Sequence, residues 1–112
     1  YKPIEVTADI LKKNWFLKEQ EEEFTVMRII MRNKNQNITI DLYDEYDKKT
    51  EITSMARTTG YTCTAGANLL INDMFNHSGV FPPELIGKDV KSYKFIIDYL
   101  QKRNINLITT TN

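Results

Sequence analysis

His77 could act as a general base and Cys63 as a nucleophile, and the chain has one residue of each type. His77 lies in the turn sequence Asn76-His77-Ser78-Gly79, which indicates a surface histidine rather than a metal ligand. Cys63 falls within a predicted helix among small residues, where a buried and unreactive thiol is expected. The sequence therefore assigns a catalytic role to neither residue.

Two groups of acidic residues could in principle bind a metal ion. Asp41, Asp44, Glu45 and Asp47 crowd the end of a predicted strand, but their spacing does not match a calcium loop, and we expect a solvated turn. The segment from Glu19 to Glu23 is expected to be a solvated linker or turn as well. The sequence predicts no metal site.

Composition limits the class of protein. A length of 112 residues favours one domain, and fifteen basic and fifteen acidic residues cancel, which gives no argument for a nucleic acid or membrane partner. A single cysteine excludes an internal disulfide framework and favours a cytoplasmic location. No Gly-x-Gly-x-x-Gly string occurs, so the chain has no nucleotide-binding fingerprint of its own.

A β-hairpin is predicted in the first half of the chain. Phe24 to Arg32 and Asn37 to Tyr43 are two runs with a period of two, joined by a short Asn-rich loop. Each run has an apolar face, formed by Met27, Ile29 and Met31 in the first run and by Ile38, Ile40 and Leu42 in the second. An isolated hairpin is marginally stable, so we expect a helix to cover this face.

Three helices and a last strand complete an α+β fold. Thr7 is predicted to cap a short helix to Asn14, with Ile10 and Leu11 facing inward. A long helix follows from Ser54, capped by Thr53 or Ser54, to Asp73. Asp89 is predicted to cap a C-terminal helix to Arg103, followed by a strand from Ile105 to Thr109. Small and apolar residues are expected to turn the long helix toward the hairpin: Ala56, Gly60, Cys63, Ala67, Leu70 and Met74.

Two strings in this order resemble the C-terminal end of the saccharopine dehydrogenase family, which includes saccharopine reductases and lysine 6-dehydrogenases. They are Ser54-Met55-Ala56-Arg57-Thr58-Thr59-Gly60-Tyr61 and Gly79-Val80-Phe81-Pro82-Pro83-Glu84-Leu85-Ile86-Gly87, preceded by Asp41-Leu42-Tyr43-Asp44. The resemblance covers about Phe24 to Leu107. Residues 1–23 carry no such signature and are expected to be a linker and short helix from a preceding segment.

The resemblance implies that residues 1–112 are the C-terminal substrate and dimerisation domain of a larger enzyme. Such an enzyme has an N-terminal Rossmann domain that binds NAD or NADP, which this chain lacks, and a substrate domain built on a mixed sheet. It implies oxidation at a carbon bearing an amino group, in saccharopine or lysine, with hydride passed to the nicotinamide. The absence of an initiating Met also favours a fragment, and we expect the isolated chain to be inactive.

By analogy with other two-domain dehydrogenases, the start of the long helix is expected to line the cleft between the domains. There Arg57 would offer its charge to a substrate carboxylate, and Thr58 and Thr59 would offer hydroxyl groups, beside Ser54. The alternative is structural: Ser54 caps the helix, Arg57 faces solvent and the threonines pack. A catalytic residue cannot be assigned from the sequence.

Two rival functions remain, a stand-alone binding module and a purely structural dimerisation module. The binding module would associate through its hairpin, whereas the dimerisation module would use the apolar hairpin face or the small-residue helix as its contact. Exposed apolar surface also leads us to expect a homo-oligomer, through self-association of the isolated chain.

Overall fold

The computed structural model describes residues 2–18 and 21–111 and shows the expected α+β fold. Seven elements follow one another in the described chain, and the three strands form one sheet in the order β1-β2-β3. No helix among these residues is long and apolar enough to cross a membrane. The elements are α1 (Pro3–Trp15), β1 (Phe24–Arg32), β2 (Asn37–Glu45), α2 (Ser54–Ile71), α3 (Glu84–Lys88), α4 (Val90–Gln101) and β3 (Leu107–Thr111).

The predicted hairpin is confirmed, with β1 antiparallel to β2 and Met27 opposite Leu42. β2 continues two residues beyond the predicted end, to Glu45, because the pairing with β1 runs to Phe24. β3 begins at Leu107 instead of Ile105 and pairs antiparallel with β2. Ile105 is instead fully buried after α4, so burial and not strand pairing explains its apolar side chain.

The hydrophobic core lies at one end of the sheet, where α2 packs on the sheet and α4 packs on α2. Leu42, Leu100 and Ile105 form its buried centre, and Tyr61, Ile96 and Leu107 pack around them. Farther along the same face, Ile29 and Met31 stay more than two-fifths exposed. The helices therefore cover only part of the apolar sheet face.

The long helix begins as predicted, but the predicted inward face is wrong. Thr53 caps α2 by accepting a hydrogen bond from the Ala56 amide, at 3.2 Å. The buried residues of α2 are Ser54, Arg57, Ala65 and Leu69. The small-residue side faces solvent, since Ala56, Gly60, Cys63, Ala67 and Leu70 are all exposed. Met74 follows the end of the helix and is also exposed.

The physical reason for this orientation is the side-chain pairing of Arg57. Its guanidinium turns toward the sheet to meet the carboxylate of Asp44, and residues at i+4 intervals from Arg57, namely Tyr61, Ala65 and Leu69, follow it inward. The glycines Gly60 and Gly66 meet no other atom within 4 Å where a Cβ would stand. Each costs about 1 kcal/mol relative to alanine in a helix, and no close contact within the described chain offsets that cost.

The first helix also differs from the prediction. It begins at Pro3, so Thr7 is not its cap; the Thr7 hydroxyl lies inside the helix and donates to the Pro3 carbonyl at 2.9 Å. Ile10 does not face inward but is exposed, and Leu11 is half-buried. No residue of α1 is buried, so the helix projects from the domain with its apolar side uncovered.

The start of α4 follows the prediction, and the helix ends at Gln101, two residues before the predicted Arg103. Asp89 caps it by accepting hydrogen bonds from the Ser92 amide, at 2.9 Å, and from the Ser92 hydroxyl. Asn104, just past the helix, adopts a left-handed conformation with φ of 62°, as its small polar side chain permits. This turn sends the chain back under α4 and places Ile105 in the core.

Candidate functional site

A buried ion pair joins the start of α2 to the end of β2. Asp44 is 5% exposed and Arg57 is 8% exposed. The guanidinium Nε lies 3.2 Å from Asp44 Oδ2, and Nη2 lies 3.2 Å from Oδ1, so two nitrogens face two oxygens. Two-point pairing of this kind fixes orientation as well as distance.

Further contacts use the remaining side of the Arg57 guanidinium. Nη1 donates to Asp47 Oδ2 at 3.3 Å, and Nη2 donates to the Arg103 carbonyl at 3.0 Å. Hydrogen bonding to Asp44 is the main cause that raises the pKa of Arg57 above its usual value. Arg57 is therefore buried, and its charge is already paired with carboxylates of this chain. Its contacts link α2 to β2 and to Arg103, just past the end of α4.

Other residues of this chain occupy the hydrogen-bonding groups of Ser54 in the first turn of α2. The Ser54 amide donates to the carboxylate of Glu23, and the Ser54 hydroxyl bridges Thr25 Oγ1 at 2.8 Å and the Asp44 carbonyl at 2.9 Å. A carboxylate at a helix start interacts favourably with the positive end of the helix dipole. Glu23 thus occupies the place where an anion from a substrate or cofactor could otherwise bind.

Glu23, Asp44 and Asp47 correct the expectation of solvated acidic segments. Asp44 is buried, Asp47 and Glu23 are half-buried, and all three contact the start of α2. The sequence held a signal for Asp44, because it continues the period-two series of Ile38, Ile40 and Leu42 on the covered face. Glu19 and Gln20 of the acidic segment lie outside the described residues.

Thr58 and Thr59 lie beside a groove between α2 and the sheet. The Thr58 hydroxyl donates to the Ser54 carbonyl at 2.9 Å, which leaves its oxygen able to accept a further hydrogen bond. The groove has a volume of about 240 Å³. It is lined by four threonines, Thr25, Thr58, Thr59 and Thr62, and by five apolar residues, Met27, Leu42, Leu100, Ile105 and Leu107.

The four residues expected to line the cleft thus divide into two pairs. Ser54 and Arg57 are buried in contact with Asp44 and do not line the groove, whereas Thr58 and Thr59 line it. The groove is mainly apolar, so an aliphatic chain can pack against its wall.

The other reactive side chains lie away from this groove. His77 is exposed, as predicted, and its ring contacts Phe75 at 4.7 Å between centroids. Cys63 is exposed on α2 rather than buried, because the small-residue side of the helix faces outward. Within residues 2–18 and 21–111, no group of three or more His, Cys, Asp or Glu side chains is arranged to hold a metal ion.

Comparison with known families shows a match over most of this chain. The family described as the saccharopine dehydrogenase C-terminal domain matches residues 2–105 of this chain. The matched range includes α1, the hairpin, the buried Asp44–Arg57 pair and every residue that lines the groove except Leu107.

Proposed function

This chain belongs to the saccharopine dehydrogenase C-terminal domain family, and we propose that it is the substrate part of an NAD(P)-dependent oxidoreductase. The reaction would be oxidation at the CH–NH group of saccharopine or lysine. In this proposal the cofactor binds to an N-terminal Rossmann domain, and the present domain supplies one wall of the cleft and a surface for oligomerisation. The isolated chain would have no activity.

One observation supports this assignment most directly: the groove combines an aliphatic wall with hydroxyl groups on the first turns of α2. The substrate's methylene chain would lie on Met27, Leu42 and Leu107, where it removes apolar surface from water. The oxygens of Thr58 and Thr59 would then accept hydrogen bonds from the substrate's amino nitrogen. Orientation of this kind contributes to catalysis by reducing the entropy cost of reaching the reactive geometry.

Arg57 and Ser54 would act from behind the groove. Since the guanidinium already contacts Asp44, Asp47 and the Arg103 carbonyl, we assign it the role of a positioning residue that fixes the first turn of α2. Ser54 has the same role through its bonds to Thr25 and Asp44. Neither side chain is proposed to bind the substrate carboxylate directly.

The start of α2 does not fit the phosphates of a dinucleotide. The start of α2, which could have attracted an anion, carries the Glu23 carboxylate, and this negative charge would repel a phosphate group. Cofactor binding is therefore assigned entirely to the N-terminal domain.

The test uses the full-length polypeptide that contains this domain, assayed with saccharopine and with lysine, each with NAD⁺ and NADP⁺. We expect turnover of one of these substrates. Thr58→Ala is expected to lower kcat/KM about tenfold, because one hydrogen bond to the substrate is lost, and Thr58→Ser should restore it.

Thr64→Ala is the matched control. Thr64 makes the same kind of bond, from its hydroxyl to a carbonyl four residues earlier, but is not among the residues of the groove. Equal kcat/KM for Thr58→Ala and Thr64→Ala would reject the cleft assignment. An absence of turnover with either substrate would reject saccharopine and lysine as substrates and favour the dimerisation module, for which the exposed sheet surface is the relevant observation.

A further inference from the structure

The strand β1 is an unprotected edge of the sheet. The order β1-β2-β3 leaves one side of β1 without a neighbouring strand among the described residues. Edge strands are usually short, or carry proline, lysine or a bulge that prevents pairing with another chain. β1 has nine residues with no proline and no lysine, and its pairing with β2 runs without a bulge. The opposite edge strand, β3, has only five residues, so β1 is the edge better suited to a further strand.

The backbone of β1 presents a regular set of hydrogen-bonding groups along this edge. Two bonds that flank the hairpin pairing, from the Asn33 amide to the Gln36 carbonyl and from the Tyr46 amide to the Glu23 carbonyl, fix which residues bond to β2. The odd-numbered residues of β1 direct their amides and carbonyls toward β2. The even-numbered residues direct theirs away from it, where the described chain provides no partner: Phe24, Val26, Arg28, Ile30 and Arg32.

We propose that two copies of this chain pair β1 with β1 in antiparallel orientation, which makes one sheet of six strands. The inference rests on the oligomeric role in the proposed function and names the contact that would perform it. Full overlap of the two strands places Arg28 opposite the partner's Arg28 and Val26 opposite the partner's Ile30. In this register, each even-numbered residue exchanges two backbone hydrogen bonds with the residue opposite.

The apolar side chains of β1 are complementary to themselves in this register. Val26 would contact the partner's Ile30 on the side of the sheet away from α2, and Met27 would contact the partner's Ile29 on the other side. All four side chains are more than a third exposed in the single chain. Apolar pairs directly opposite each other stabilise antiparallel strands, so pairing would remove apolar surface from water on both sides of the sheet.

The charges of β1 also suit this register. The Arg28 guanidinium already donates to both carboxylate oxygens of Asp41 on β2, at 2.6 and 3.0 Å, so its charge is neutralised within each copy. Arg32 would lie opposite the partner's Phe24, and a guanidinium and an aromatic ring attract each other. The neighbouring registers leave two residues of each strand unpaired and set Arg28 opposite an apolar residue.

The exposed area of the chain is large enough for such a contact. Its accessible surface is 9447 Å², whereas a compact protein of 13.1 kDa exposes about 6,400 Å². The difference exceeds the roughly 800 Å² that each partner buries in a standard interface. A second copy is favoured over an unrelated protein as the occupant, because β1 is complementary to itself along its whole length.

Cysteine variants test the register. Arg28→Cys is introduced into the full-length polypeptide with Cys63→Ser, because Cys63 is an exposed thiol. After mild oxidation, mass spectrometry identifies the disulfide between two copies of residue 28. Opposite Cα atoms in a hydrogen-bonded pair are about 5.5 Å apart, which a disulfide can span.

Ile30→Cys in the same background is the control. Ile30 would lie opposite the partner's Val26, and four residues of strand, about 13 Å, would separate it from the partner's Ile30. We expect the yield of intermolecular disulfide to be at least about tenfold higher for Arg28→Cys than for Ile30→Cys.

A proline variant tests the backbone bonds. Ile30→Pro removes an N–H that points away from β2, so the hairpin keeps its own bonds while the edge loses one. Combined with Arg28→Cys, it should lower the disulfide yield at least about tenfold, because both copies lose a bond across the contact. Ile30→Thr keeps the N–H and a β-branched side chain, and it should retain most of the yield.

Two results would overturn the inference. The first is an equal yield for Arg28→Cys and Ile30→Cys, including no disulfide in either, which would assign the edge of β1 to another strand. The second is an undiminished yield with Ile30→Pro. If Ile30→Pro fails to fold, the two cysteine variants still decide. The disulfide requires no turnover, so its formation in a polypeptide inactive on saccharopine and lysine would reject the proposed substrates and retain the β1 contact.

Discussion

Among single residues, Arg57 contributes the contact that most clearly determines how α2 sits on the sheet. Arg57→Met leaves the Asp44 carboxylate buried without its cation. Breaking a buried pair in this way costs about 3–5 kcal/mol, so we expect a large fall in the free energy of unfolding, measured by urea denaturation of the chain.

Arg28→Met is the control for this prediction, because Arg28 and Asp41 form an ion pair on the exposed sheet surface. Exposed pairs contribute at most about 1 kcal/mol. The double variant Asp44→Leu/Arg57→Met removes both buried charges and should recover most of the stability lost in Arg57→Met. Similar losses for Arg57→Met and Arg28→Met would contradict the proposed anchoring role.

Asp89 gives a prediction for acid conditions. Hydrogen bonds from the Ser92 side chain and amide lower the pKa of its carboxyl below the usual value of 3.8. Since the folded-state pKa is the lower one, the carboxylate's contribution to stability is present above the unfolded-state pKa and is lost as the pH falls through the folded-state pKa.

Asp89→Asn should keep the cap and remove this titration, because asparagine is also a good N-cap residue. Between about pH 5 and pH 3, its urea midpoint should therefore fall less than that of the wild type. The comparison is made between the two proteins because the Asp41 and Asp47 carboxyls also have lowered pKa values. Identical pH dependence would show that Asp89 does not contribute as expected.

The sequence predicted where Thr58 and Thr59 lie in the fold, while their contact with a substrate stays a prediction. The hydroxyl residues Thr58 and Thr59 were placed at the correct helix start, because capping by Thr53 is a local signal. The role of Arg57 was not predictable in this way, because its partners Asp44 and Arg103 are 13 and 46 residues away along the chain. Which charge neutralises it depends on tertiary contacts that no local pattern encodes.

Among the elements, α1 is predicted to be the least stable. It has thirteen residues and none of them is buried, and an isolated helix of this length is marginal in water. Backbone amides of α1 should therefore exchange with deuterium much faster than those of α2 and α4, measured by hydrogen exchange of the 112-residue chain. Equal protection of α1 and α4 would mean that α1 packs against another surface.

Periodicity and capping residues predicted where the strands and helices begin and end more reliably than they predicted which side of a helix faces the core. β1 was predicted to the residue, because its alternation and the Asn-rich loop give both boundaries. For α2, one stripe contains Gly60, Cys63 and Ala67 and the other contains Arg57, Tyr61 and Leu69. From the small residues we predicted that the stripe with Gly60 faces the core. That prediction is wrong, because the buried pair of Arg57 with Asp44 turns the other stripe toward the sheet.

In the molecule as a whole, many large apolar side chains of the described residues are exposed to solvent. The Cα radius of gyration is 17.8 Å, whereas a compact domain of this length has about 13 Å. On the sheet side away from α2, large side chains are more than half exposed, and Phe24 stacks on Tyr43 at 6.0 Å between ring centroids. We call this surface the outer sheet face: Phe24, Val26, Ile30, Tyr43 and Ile108.

The outer sheet face leads us to predict self-association of the isolated chain. Val26→Glu places a charge within this surface and should shift the chain toward monomer in sedimentation velocity at equal concentration. Val80→Glu is the control, because Val80 is fully exposed in the loop before α3. A monomeric wild type at high concentration would contradict the prediction, as would equal shifts in the two variants.

The position of Trp15 has a practical consequence for spectroscopy. It is the single tryptophan of the chain, and it ends α1 with 76% of its side chain exposed. Its fluorescence should therefore change little when the core around Leu42 and Ile105 unfolds. The same emission should shift to shorter wavelength when another surface covers α1, so the chain carries an intrinsic optical reporter of docking that is separate from its folding.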